Sequence, residues 1–122
     1  MKRIDNKILL SLGAAESIKD RVQKDDYLEG KIISIDKNSK EFQILSKGHR
    51  NPQGLIYFEK DNLIFNSEHG PKGGDEVNIN FLNTPEKIAN FGWPVASYGI
   101  EYNGTDPYKK SHEKFGFIEP FK

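Results

Sequence analysis

The sequence predicts an all-β protein. Three observations carry that reading. Apolar residues fall in runs of strand length, turn-forming residues cluster between the runs at short spacing, and no long segment keeps a helical period. The runs sit in a chain of 122 residues that is 35% apolar, with a mean hydropathy of −0.71. That is enough clustered apolar content to oppose disorder, and thin for a self-sufficient core.

The first run is "KILLSLG" at 7–13, with three consecutive apolar residues, Ile8 to Leu10. That is too short for the apolar stretch of a signal peptide or for a membrane span, so the reading expects neither here. From 14 to 28, Ile18 and Val22 stand four apart among charges, which predicts a short amphipathic helical segment. Strand-like runs resume with "GKIISID" (30–36) and "EFQILSKG" (41–48), joined by "DKNSK" (36–40), a hairpin loop of turn formers. "GLIYFEK" (54–60) and "NLIFNSE" (62–68) form a second pair, with Glu59 to Asn62 as its loop, and "EVNINFL" (76–82) follows.

Thr84 followed by Pro85 has the form of a helix start, predicting a short helix that ends before "NFGWP". Beyond residue 90, Gly, Pro and aromatics without a period predict a long connection, ending in a strand at "FGFIEPF" (115–121). The count is about seven strands. A propeller blade takes four, so the spacing fits either a little under two blades or one small sandwich.

Composition excludes several functions. Lys+Arg and Asp+Glu are both 18, so no basic excess points to nucleic acid or an anionic membrane surface. With no Cys there is no disulfide, thiolate metal site or Cys nucleophile. "ASYG" (96–99) follows Val95 and lacks the first Gly of a nucleophile elbow, and "GPKGGDE" lacks the Lys-Ser/Thr of a phosphate loop. "DKNSKE" lacks the Gly and Glu of an EF-hand loop, and His49, His69 and His112 have no zinc spacing. The sequon at Asn103 matters only in a glycosylating secretory route.

Two polar stretches remain. "GHRNPQGL" (48–55) reads either as a hydrogen-bonded turn or as a site for an anion or carbonyl oxygen, since Arg50 offers a rigid, permanently charged fork of donors. "SEHGPKGGDEVN" (67–78) reads either as a solvated charged loop or as a cradle of inward carbonyls for a hard cation such as Ca²⁺. "NFGWPVASYG" (90–99), taken alone, reads as aromatic packing at a sheet edge.

In this order and spacing, "GHRNPQGL", "EHGPKGGDE" and "NFGWPVASYG" resemble the glucose/sorbosone dehydrogenase family, over nearly the whole chain. The nearest branch resembles the soluble aldose sugar dehydrogenases. The resemblance implies a six-bladed β-propeller, of which this chain is a fragment of about two blades, and a parent that oxidises a sugar with pyrroloquinoline quinone (PQQ) and Ca²⁺. It implies that Arg50 and Asn51 hydrogen-bond the quinone oxygens and that His69 lies beside the cofactor, where some members have Gln. It also implies that the backbone carbonyls of Gly70 and Pro71 ligate the metal.

No catalytic residue is assigned within the chain. The family's general-base His precedes the strand that starts here at about Lys7 and is expected upstream of Met1, and the residues that hold the PQQ carboxylates belong to later blades. Ala14 stands where many members have an acidic residue. The resemblance therefore implies a fragment without sugar turnover on its own, from a periplasmic or secreted parent whose partner is a small-molecule sugar. The alternative is a non-catalytic binding propeller of the same family.

Overall fold

In the computed structural model, residues 2–83 and 87–121 are described. The strands are β1 (Lys2–Ile4), β2 (Lys7–Leu12), β3 (Lys31–Asp36), β4 (Phe42–Lys47), β5 (Pro52–Phe58), β6 (Leu63–Glu68), β7 (Glu76–Phe81) and β8 (Ala89–Asn90). They form two sheets, β1-β2-β3-β4-β8 and β5-β6-β7. Every neighbouring pair is antiparallel except β4 and β8, which run parallel.

The expected hairpins form where their turn chemistry places them. In the loop after β3, the Asp36 carboxylate accepts the backbone N–H groups of Asn38 (2.8 Å) and Ser39 (2.9 Å), an Asx turn. Those two bonds hold the Asp36 carboxyl below the ordinary carboxylate range. In the β5–β6 loop, Asn62 takes a positive φ of 48° and its side-chain oxygen accepts the Tyr57 hydroxyl at 3.0 Å. Asn tolerates that backbone region better than most residues.

The sheets meet face to face through Leu9, Ile32 and Ile64, backed by Ile4, Leu45, Leu55, Tyr57 and Leu82. The opposite face of the smaller sheet aligns Ile56 with Phe65 and Ile79, and Phe58 with Leu63 and Phe81. Ile56, Phe58 and Phe81 are exposed. At the β5–β6 loop end, a cleft of about 790 Å³ opens between the sheets, lined by Leu9, Leu45, Tyr57 and Leu82 among others.

The turn or two of helix expected within 14–28 forms, as a 3₁₀ segment at Glu16–Arg21 with Ile18 off helical geometry. Other expectations are corrected. Val22 instead packs as a single anchor against Trp93 and Tyr108, a contact no local period encodes. A fully buried Lys31 closes this region, donating to the carbonyls of Val22 (2.7 Å) and Glu29 (2.9 Å). Burial, then the charge of Lys47, pushes the Lys31 ammonium below the ordinary lysine pKa. The helix expected from Thr84 starts outside the described residues, and its described end runs into β8 instead. "FGFIEPF" is not a strand: a 3₁₀ turn at His112–Phe115 precedes it, and only Phe121 bridges to Val77. β1 and β8 were not anticipated.

Candidate functional site

The register of the smaller sheet brings the two polar stretches together. β5 and β6 are antiparallel, and Pro52 pairs with Glu68. Whatever precedes Pro52 and whatever follows Glu68 must therefore emerge at one end of that sheet. The backbone N–H of His69 closes the junction by donating to the carbonyl of Asn51 at 3.1 Å. Arg50 and Gly70 thus share one end of that sheet.

The turn into the first stretch depends on Gly48. Its φ is +83°, and an added Cβ would lie 2.4 Å from the Gly92 nitrogen. Only glycine meets both conditions. The next residue, His49, points inward and is fully buried. Its Nδ1 lies 2.7 Å from Glu68 Oε2 and its Nε2 lies 2.8 Å from Ser46 Oγ. Its ring packs beside Phe91, with centroids 5.1 Å apart.

Glu68 is the hub. One oxygen accepts the backbone N–H of Arg50 (3.0 Å); the other faces His49 and accepts the side-chain amides of Asn66 (3.1 Å) and Asn78 (3.4 Å). The buried carboxylate is surrounded by donors, which is the condition for holding such a group away from water. It fixes the backbone of Arg50 from below while the side chain reaches out.

The Arg50 guanidinium crosses to the second stretch. Its Nη1 donates to the carbonyl of Gly70 at 3.0 Å and more loosely to that of His69 at 3.5 Å. Asn51 is half-buried and accepts the Gln53 amide at 2.6 Å. The His69 side chain is exposed, 3.6 Å from Asp75. Gly70 and Pro71 are buried. The acidic end of the stretch braces the turn: Asp75 accepts the Gly70 N–H at 3.1 Å, and the Pro71 carbonyl accepts the Gly74 N–H at 2.8 Å.

The third stretch supports the second from behind. The Ile100 N–H donates to the Lys72 carbonyl at 3.0 Å, and Gly99 lies so close that a Cβ there would meet the Pro71 oxygen at 2.8 Å. The Arg50 carbonyl is in turn bonded by the Ala14 N–H at 2.9 Å. The two polar stretches and the aromatic stretch behind them therefore build one cradle. Arg50, Asn51 and His69 lie beside the buried Gly70 and Pro71, whereas the His49 and His112 side chains are buried elsewhere.

Sequence reasoning missed Glu68 and His49 as a linked pair. A signal was available in the alternation of β6 and β7. Asn66, Glu68, Asn78 and Asn80 fall on the inward positions beside Ile64, and polar residues repeated on an inward face mark a buried hydrogen-bonded network.

Two sheets stacked face to face fit either a small sandwich or blades of a β-propeller, and the solved structures on which the chain superposes decide for propeller blades. The chain superposes on a crystal structure of glucose dehydrogenase with a TM-score of 0.77 and 31% identity, covering 97% of this chain and 36% of that one. It superposes on the apo-form soluble aldose sugar dehydrogenase of Escherichia coli with a TM-score of 0.70 and 31% identity, covering 86% and 33%. The chain belongs to the glucose/sorbosone dehydrogenase family, whose sequence profile matches residues 1–122. It is 38% identical over 92 residues to the aldose sugar dehydrogenase YliI of E. coli K12, covering 65% of this chain and 24% of that protein. It is 45% identical over 56 residues to quinoprotein glucose dehydrogenase B of Acinetobacter calcoaceticus, covering 45% and 10%. The chain thus spans about a quarter of the length of the E. coli relative.

Proposed function

We propose that this chain supplies the quinone-facing wall and metal cradle of a PQQ-dependent aldose sugar dehydrogenase. The observation that carries the reading is the meeting of the Arg50 guanidinium and the Gly70 carbonyl, 3.0 Å apart, from two different connections. One is a charged fork suited to quinone oxygens, and the other belongs to a pair of buried carbonyls suited to a hard cation.

The residues fit both groups. A carbonyl oxygen has two lone pairs, and the carbonyls of Gly70 and Pro71 each have one bond from Arg50 or Gly74, leaving one pair. Ca²⁺ takes roughly six to eight oxygens, so two carbonyls need a bound molecule and water to complete the shell. A Cβ on Gly70 would sit 1.9 Å from the Gly74 oxygen, so the cradle tolerates no side chain there.

In this reading the Gly70 and Pro71 carbonyls hold the metal, Arg50 and Asn51 orient the quinone by donating to its oxygens, and His69 lines its edge. When bound, PQQ would supply the hydride acceptor for the sugar carbon. The base that takes the sugar hydroxyl proton comes from outside the described residues, since His49 and His112 are buried and His69 is paired toward Asp75. The parent works as a soluble periplasmic or secreted enzyme. No helix among the described residues is long and apolar enough to cross a membrane.

Isothermal titration of the full-length parent with PQQ in excess Ca²⁺ tests the reading. Saturable one-to-one binding is expected, weakened about ten- to a hundredfold by Arg50→Ala, the loss typical of a hydrogen bond to a charged group. Absence of saturable binding to the wild-type protein would overturn it.

A further inference from the structure

We propose that Arg50 keeps the cradle closed to a cation arriving alone, and so makes metal binding conditional on the anionic quinone. This rests on the functional reading above and goes beyond it, because it assigns the arginine a role toward the metal.

The Gly70 oxygen is where the guanidinium and an incoming cation would meet. Arg50 Nη1 already donates to it at 3.0 Å. A Ca²⁺ ion would bind the same oxygen at about 2.4 Å, placing a permanent positive charge within about 5 Å of a divalent one. The carboxylates beside the cradle are committed to other partners. The Glu68 carboxylate is turned inward to His49, Asn66 and Asn78. Asp75 is exposed and spends one oxygen on the Gly70 N–H. Among the described residues no group of three or more His, Cys, Asp or Glu could hold a metal ion.

The protein therefore offers a lone cation two carbonyls and a repelling neighbour. An anionic quinone reverses both conditions. Its oxygens extend the coordination shell, and its charge offsets the guanidinium. Arg50 has donors to spare beyond the Gly70 and His69 carbonyls, so it can turn toward the quinone without losing its anchor, the backbone bond to Glu68. Coupling of this kind is reciprocal: Ca²⁺ raises the affinity for PQQ by the same factor by which PQQ raises that for Ca²⁺.

Calorimetric titration with CaCl₂ alone tests the arginine without any cofactor. Arg50→Gln, and Arg50→Leu as a second neutral variant, should bind Ca²⁺ about tenfold more tightly than wild type, within the range usual for coupled sites. Arg50→Lys keeps the charge and should stay within about threefold of wild type. Repeating the titration with PQQ present should show the gain in Ca²⁺ affinity shrinking about tenfold in the neutral variants. Neutral variants that bind Ca²⁺ alone no better than wild type, or a Lys variant that behaves like Gln, would overturn the proposal. Failure of wild type to bind PQQ would instead sink the functional reading and the coupling with it, while the metal-only series still reports on Arg50.

Discussion

Replacing Glu68 with Leu lowers the free energy of unfolding by about 3–5 kcal/mol, the cost of removing one partner from a buried charged network. The magnitude follows from what is orphaned. The Arg50 N–H and the amides of Asn66 and Asn78 lose their acceptor together, and His49 loses the partner of its Nδ1. All of these surround a side chain that is 5% exposed, so water cannot replace it without opening the sheet. Glu68→Gln should cost less, because one carbonyl oxygen remains to accept, although its amide now faces other donors. Urea unfolding followed by circular dichroism measures both. A Leu variant within about 1 kcal/mol of wild type would show that the hub is not a main support of this end of the sheet.

The second large effect is expected at Gly70. A valine there loses about a hundredfold or more in affinity for PQQ with Ca²⁺, because overpacking a site of fixed shape moves its backbone. The obstructing atoms are the carbonyl oxygen and carbon of Gly74, 1.9 and 2.4 Å from the added Cβ. They belong to the same turn as the proposed ligands and cannot rotate aside like a flexible side chain. Lys72→Ala is the matched control. Its side chain is exposed, and its contribution to the turn is a backbone carbonyl bonded by Ile100, which alanine keeps. Equal affinity of Gly70→Val and wild type in a PQQ titration would remove Gly70 from the site.

Six of the strands were legible because each carries its own signal: an apolar run bounded by residues that make turns. The missed elements lack one. β8 is two residues long and pairs in parallel with β4, so its partner lies far away in sequence. Ile18 and Val22 have helical spacing, but burial of Val22 against Trp93 and Tyr108 overrides a weak local preference. At the site, the glycines were legible as a group while their purposes differ. Gly48 and Gly73 take positive φ, whereas Gly70 and Gly99 are small because other backbone passes close by. That distinction depends on neighbours in space. The convergence of Arg50 with Gly70 required the Pro52–Glu68 register, which a hairpin fixes only once its loop is placed.

The manner in which the cradle is tied together bears on the order of folding. Its bonds join Ala14 to Arg50 and Lys72 to Ile100 across long stretches of chain, whereas the bond from His69 to Asn51 closes the β5–β6 hairpin itself. The pairs β3–β4, β5–β6 and β6–β7 close through short loops and can form first, whereas long-range closure comes after most of the chain is ordered. The complete cradle, with its Ala14 and Ile100 supports, is then expected after the rate-limiting barrier, so a ligand that needs all of it has little to hold until the barrier has been crossed. Its stabilisation is felt as slower escape from the native state, with the rate of reaching that state unchanged. A cofactor held at the proposed site would act as a lock applied after folding, not as a template for it.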